Sequence, residues 1–277
     1  MAGKKKDTSL LHHLIGSRSL VWNLAKNDIK KKFAGSYFGV VWAFVQPVIT
    51  VLLYWFVFEK GLNSKATDLR TGIEIPFVLW LTAGLVPWFY FQEALNGGTG
   101  VLAEYSYLVK KVVFQIDMLP VVKMISALFT HLFFVAFTIV LFICMGYMPD
   151  WYALQVVYYS FCMILFATGL VYATSAVTVF FRDMKEVVGI LLQIGMWVTP
   201  IMWNFETMVQ IPGWAITVLK LNPMYYIVSG YRNALINHIG FWEDMGLTVY
   251  FWVVTAVILF LGTTVFKRLR PHFADVL

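Results

Sequence analysis

Hydrophobic and polar positions follow two different rhythms along this chain. From Leu10 to Phe33 apolar residues recur at three- and four-residue steps (Leu11, Leu14, Ile15, Trp22, Ala25, Ile29, Phe33), with Arg18, Lys26, Lys30 and Lys31 beside them. That spacing predicts an amphipathic helix lying in a membrane surface, apolar side down. After Ala34-Gly35-Ser36 the rhythm gives way to long apolar runs. No charge falls between Tyr37 and Phe58, and a helix of that length crosses a bilayer core.

Further runs follow at Ile75–Gln92, Met124–Met148, Trp151–Phe181, Val187–Phe205 and Met245–Phe266. Pro87 inside the second run predicts a kink. Between the runs lie a polar loop (Glu59–Glu74), a mixed segment (Glu93–Pro120), a tight turn at Met148-Pro149-Asp150 and a charged link (Arg182–Glu186). The mixed segment reads as a cytoplasmic loop with a short helix. Glu206–Asp244 is less regular. Its two apolar pieces, Trp214–Lys220 and Met224–Ile236, are too short to cross, so they read as re-entrant or interfacial helices. The pattern predicts an all-α integral membrane protein with six transmembrane helices. Residues 1–36 form a cytoplasmic tail and interface helix, and residues 37–277 the six-helix transmembrane domain.

Composition agrees: 60% of residues are hydrophobic, 18% aromatic and only 13% charged, which excludes an ordinary soluble domain. Of the 21 Lys and Arg, 16 fall on the side of the termini and 5 on the other. The positive-inside rule then puts both termini in the cytoplasm and explains the net charge of +6 without nucleic acid. The first apolar run starts too late and is too long for a secretory signal. Cys144 and Cys162 sit in apolar runs without metal-ligand spacing and read as core residues, not a disulfide.

Catalytic chemistry is missing. There is no phosphate-binding loop: Gly97-Gly98-Thr99-Gly100 has no following lysine and no preceding strand, and reads as a flexible link. There is no nucleophile elbow, and His12 and His13 are adjacent, so they cannot share a metal from one helix face. No catalytic and no metal residues are assigned, and energy for any work must come from elsewhere. Two ionisable groups lie near membrane depth. Glu93, at the inner end of the second run, reads as a carboxylate at the water boundary. His131 in the third reads as a packing histidine or a proton relay. Aromatic residues are more suggestive: Trp80, Trp88, Phe89, Tyr90 and Phe91 cluster in the second run, and Trp197, Tyr225 and Tyr226 follow. Many belong to an interfacial belt; the functional alternative is a row of flat faces along a sugar path, where stacking tolerates a sliding polymer.

Several short motifs, taken in order, resemble a family. Asn27-Asp28-Ile29-Lys30 precedes Tyr37, Gly39, Trp42 and Pro47; then come Gly84-Leu85, Trp88 and Tyr90-Phe91. Leu108-Val109-Lys110-Lys111, Leu119-Pro120, Phe181-Arg182-Asp183, Thr199-Pro200-Ile201 and Asn222-Pro223 complete the series. Together they resemble the permease subunits of type-2 ABC exporters, in particular those for lipid-linked polysaccharide of teichoic acid and O-antigen type. Phe114-Gln115 departs from the Phe-Pro of many members. The resemblance implies a homodimer of twelve helices in the plasma membrane, with two copies of a separate nucleotide-binding subunit that holds ATP and Mg. It implies docking on that subunit through Lys110, Lys111, Phe114 and Asp117, and an outer gate made by the two short helices. It also implies a polymer on undecaprenyl (pyro)phosphate as substrate. An anionic lipid phosphate would be attracted by Arg18, Lys26, Lys30, Lys31 and Lys32, although positive-inside topology and anionic membrane lipids also account for such cations. Competing readings are an exporter of drugs or small lipids with the same fold, a membrane-embedded transferase using Glu93 and His131, and a channel.

Overall fold

The computed structural model describes residues 18–32, 34–109, 115–203 and 212–277. Nine helices carry the architecture among these residues: α1 (Arg18–Lys32), α2 (Trp42–Trp55), α3 (Phe77–Thr99), α4 (Met118–Cys144), α5 (Gln155–Phe180), α6 (Met184–Val198), α7 (Gly213–Lys220), α8 (Pro223–Arg232) and α9 (Met245–Leu269). A small hairpin, β1 (Ala66–Thr67) with β2 (Glu74–Ile75), pairs Ala66 with Ile75 and Thr67 with Glu74. Among the described residues, four helical stretches are long and apolar enough to cross a membrane: Trp42–Gly61, Met118–Cys144, Trp151–Phe180 and Met245–Val276. The protein is thus a multi-pass, all-α membrane protein.

The bundle is built around α3. Almost every position from Phe77 to Phe91 is buried, as expected of a helix apolar on all sides. It packs on α4, α5, α6 and α8, with α2 alongside, and it continues through Pro87 as one helix. By contrast, α2 has only Val51 buried, and much of its apolar surface is left uncovered by the rest of the chain. The tightest crossing is between α5 and α9, where Gly262 lies against the backbone of Gly169. Only glycine permits backbones to approach this closely.

Several boundaries differ from those the sequence pattern predicts, each for a local reason. The third span begins at Met118, not Met124, because Pro120 falls in the first helical turn where its missing amide costs nothing. The fifth ends at Val198, not Phe205. Thr199 is extended (φ −77°, ψ 124°), as a residue before proline prefers. The Gly97–Gly100 stretch is a packing surface, not a flexible link: α3 runs through it to Thr99. A Cβ at Gly98 would collide with the Val171 side chain, and Thr99 Oγ1 donates to Thr174 Oγ1 (2.8 Å). The stretch that follows forms helical turns at Val101–Glu104 and Ser106–Val109. Their buried Val101, Leu102, Tyr105 and Val109 join Leu119, Tyr172, Phe266 and Phe273 in a second core.

In α1 the buried stripe is Val21, Ala25 and Asp28, which packs on Met118 and Val122 of α4. Trp22, placed on the apolar face by the sequence pattern, remains 45% exposed and meets Phe129 at a ring-centroid distance of 5.3 Å. Both cysteines are free thiols. Cys162 is buried, but Cys144 at the end of α4 is exposed, outside the core the pattern assigns it.

Candidate functional site

Two regions at opposite ends of the bundle concentrate the polar chemistry. At one end, α7 and α8 lie together and form a cap. Asn222 starts α8: its Oδ1 accepts from the Met224 amide (3.0 Å) and its Nδ2 donates to Thr199 Oγ1 (2.8 Å). Pro223 occupies the first helical position, which its fixed φ suits. At the other end of α8, Arg232 reaches back into the bundle. Its guanidinium donates to the carbonyls of Pro200 (2.7 Å), Ile201 (2.8 Å) and Trp80 (3.3 Å) and lies 3.3 Å from the centre of the Trp80 ring. Gly84 makes room: a Cβ there would fall 2.7 Å from Arg232 Nη2. A buried cation satisfied by three carbonyls and an aromatic face is a fixed strut.

Hydroxyl networks hold α8 from its other side. Tyr226 OH bonds Tyr158 OH (3.0 Å) and Thr248 Oγ1 (3.1 Å), and Trp252 Nε1 donates to Tyr158 OH (3.0 Å). Tyr231 OH bonds His131 Nε2 (3.1 Å) and Ser160 Oγ (2.5 Å). The cap is thereby joined to α3, α4, α5 and α9. Above it, the hairpin turn is fixed by Asp68, which accepts from the Arg70 amide (2.8 Å) and Thr71 Oγ1 (2.6 Å). Burial pushes the Asp68 pKa up, but these hydrogen bonds outweigh it and leave the carboxyl below its ordinary value.

At the opposite end, beside α1, a cavity of about 540 Å³ lies between α1, α2, α3 and α4. Ion pairs brace its walls. Lys123 bonds Asp28 (2.6 Å) and Glu104 (2.8 Å), and Lys32 bonds Glu93 (2.5 Å). Tyr105 donates to Asp28 (2.9 Å). Burial first, then this bond to a carboxylate, raises the Tyr105 pKa.

The residues singled out by sequence are placed as follows. Trp80, Trp88, Tyr90, Phe91, Tyr225 and Tyr226 are buried within the chain, Phe89 lines the cavity beside α1, and Trp197 is 57% exposed. Arg18, Lys26 and Lys30 are exposed on α1, with Lys26 over Trp22. Lys31 lies over Tyr105, 5.0 Å from its centre, and Lys32 pairs with Glu93. Lys110, Lys111 and Phe114 lie outside the described residues. Asp117 is buried, and its Oδ2 accepts from Arg270 Nη1 (2.7 Å). Glu93 and His131 engage different partners and do not form a pair. Sequence reasoning missed Arg232 and Lys123 as organising residues. The available signal was that each is a lone cation inside an otherwise apolar helical stretch.

Comparison with known proteins fits this architecture. Residues 19–236 match the family model described as ABC-2 type transporter. The chain is 25% identical over 266 residues to the O-antigen export system permease protein RfbA of Myxococcus xanthus, covering 96% of this chain and 98% of that one. A protein of the same name from Klebsiella pneumoniae is 21% identical over 258 residues, 92% of this chain and 93% of its own. Family and relatives mark a permease, a transport subunit and not an enzyme: the chain belongs to the ABC-2 type transporter family.

Proposed function

We propose that this chain is the membrane subunit of an ATP-driven exporter that carries a lipid-linked polysaccharide, of O-antigen or teichoic acid type, across the bacterial plasma membrane. The observation that carries this reading is the end-to-end match to permeases named for O-antigen export. Membership of the family implies pairing with an ATP-binding subunit, and the sequence has no phosphate loop of its own. Two copies of that subunit, holding ATP and Mg, would serve a homodimer of this chain. The exposed apolar faces of α2 (Ile49, Leu52, Leu53) and α6 (Ile190, Leu191, Ile194) are suited to a second copy or to lipid.

In this reading α3 and α6 complete a set of six spans, both termini are cytoplasmic, and α7 and α8 are re-entrant elements of an outer gate. Docking on the ATPase subunit uses Lys110, Lys111 and Phe114. Asp117 anchors that loop to the C-terminal arm through Arg270. Trp197 and Phe89 offer aromatic faces to the polymer, while Trp80, Trp88, Tyr90, Phe91, Tyr225 and Tyr226 shape the walls behind them. Exposed Arg18, Lys26 and Lys30, with Lys31 beside them, draw the undecaprenyl phosphate to the inner surface, whereas Lys32 is engaged by Glu93.

The test is reconstitution with the ATPase subunit and an assay of ATP hydrolysis against lipid-linked polysaccharide. Stimulation by the polysaccharide and a stable two-plus-two complex are expected. Stimulation by small amphiphiles alone would favour a drug or small-lipid exporter, and no ATPase partner would sink the exporter reading.

A further inference from the structure

We propose that the inner cavity between α1, α2, α3 and α4 binds an uncharged, hydroxyl-rich group, the first sugar units of the exported glycolipid. This rests on the polysaccharide-export reading above. At about 540 Å³ the cavity is within the roughly 300–1,000 Å³ range of small-ligand sites.

Its polar lining is unused and gathered around one space. Gln46 on α2, Gln92 and Asn96 on α3, and Ser126 and Thr130 on α4 all line it. Among the described residues, none of these five side chains forms a hydrogen bond. Several other helix hydroxyls are tied back: those of Thr82, Thr99, Ser160, Thr168 and Thr178 each donate to the carbonyl four residues earlier, while, among the described residues, Thr138 and Thr255 are unbonded but lie singly and line no cavity. Gln92 and Asn96 are one helical turn apart, as are Ser126 and Thr130, so two short polar ladders border one space. Amide and hydroxyl groups each offer a donor and an acceptor, which is what a sugar hydroxyl needs. Trp42 and Phe89 add aromatic faces to the same wall.

Charge decides the class of occupant. The cavity is lined by Lys32 and Lys123 and equally by Asp28 and Glu93, and these cations and carboxylates are bonded to one another. A phosphate would have to displace a carboxylate from a lysine, whereas a neutral polyol meets only unoccupied amides and hydroxyls. The geometry therefore separates two tasks: exposed cations of α1 attract the lipid phosphate, and the groove behind them reads sugar.

The experiment uses the complex with its ATPase subunit in lipid nanodiscs, titrated with lipid-linked polysaccharide extracted from producing cells. Gln92→Leu with Asn96→Leu should raise the concentration for half-maximal stimulation of ATP hydrolysis about 10-fold, with the ATPase subunit still co-purifying. Sugar-free undecaprenyl phosphate should compete equally weakly with both forms. An unchanged half-saturation overturns the proposal. So does undecaprenyl phosphate displacing the polysaccharide from the wild type but not from the variant, since that places a phosphate in the groove. Should the double variant fail to assemble, Ser126→Ala with Thr130→Val removes the opposite ladder at nearly constant volume. If no lipid-linked polysaccharide stimulates the wild type, the export reading fails, and saturation-transfer NMR then tests the groove alone. The probes are methyl mannoside, methyl galactoside and N-acetylglucosamine. A signal from at least one glycoside that disappears in the variant upholds the sugar site; no difference refutes it.

Discussion

Asn222 Nδ2 donates a 2.8 Å hydrogen bond to Thr199 Oγ1, so the residue that starts α8 also holds the turn that ends α6. Each partner is pre-set by proline. Thr199 is extended ahead of Pro200, and Asn222 caps a helix whose first residue is Pro223. Asn222→Ala loses both the cap and the cross-link and should lower stability by about 1–2 kcal/mol. Thr199→Val loses only the cross-link and should cost about 1 kcal/mol. Thermal unfolding of the purified protein checks this, and the double variant should fall short of the sum. Strict additivity would mean that the bond contributes nothing.

Arg232 is the stronger fastening, because removing it takes the donors from the carbonyls of Pro200 and Ile201 at once. Arg232→Ala should destabilise by about 2–4 kcal/mol, with proteolytic cleavage appearing first between α6 and α8. Arg232→Lys keeps the charge but not the planar fork that serves three carbonyls and lies on Trp80, so it should recover only part of the loss. Full recovery by lysine would show that charge alone matters.

These fastenings explain what was legible in the sequence. Long charge-free runs such as Met124–Met148 and Trp151–Phe181 declare helices long and apolar enough to span by length alone. The motif pairs Thr199-Pro200 and Asn222-Pro223 were visible as punctuation, but their bond is a tertiary contact that no local pattern encodes. Gly97-Gly98-Thr99-Gly100 misled because glycine signals looseness in water, whereas inside a bundle it lets Val171 approach. The role of Lys123 was hidden for a related reason: its partners Asp28 and Glu104 come from α1 and from the turns after α3.

Glycine positions offer a contrast of opposite sign. A Cβ on Gly262 would overlap the Gly169 carbonyl, while one on Gly189 of α6 would meet nothing within 4 Å. Gly262→Ala should separate α5 from α9 and cost at least about 1–3 kcal/mol. Gly189→Ala should be neutral or stabilising by about 0.5–1 kcal/mol, because alanine restricts the unfolded chain. Unfolding temperatures that moved in the same direction would contradict this packing.

Asp68 supplies a pH dependence. Its folded pKa is depressed below 3.8, so its contribution is present above that value and is lost as pH falls through the folded pKa. Hydrogen exchange of the Arg70 and Thr71 amides should stay slow at neutral pH and quicken, after correction for intrinsic rates, only below about pH 4. In Asp68→Asn this step should vanish; its persistence would assign it to another group.

The aromatic residues of α3 separate packing from transport. Phe91 stacks on Phe166 at 5.7 Å, and Tyr90 lies 5.2 Å from His131. Trp88 fills the space opposite Gly195, where a Cβ would come within 2.9 Å of its ring. All three are interior side chains, and each truncation to alanine should cost about 3–5 kcal/mol through the cavity it leaves. The triple variant should therefore be lost from the membrane before export can be measured. Trp197 stands apart, 57% exposed on α6, so Trp197→Ala should leave the unfolding temperature nearly unchanged. If the polymer slides past α6, that single variant should reduce export while the complex assembles normally. Size-exclusion profiles of the heated protein report stability, and appearance of polysaccharide at the cell surface reports export. A folded triple variant that failed to export would return Trp88, Tyr90 and Phe91 to the polymer's path, whereas unaltered export in Trp197→Ala would remove Trp197 from it.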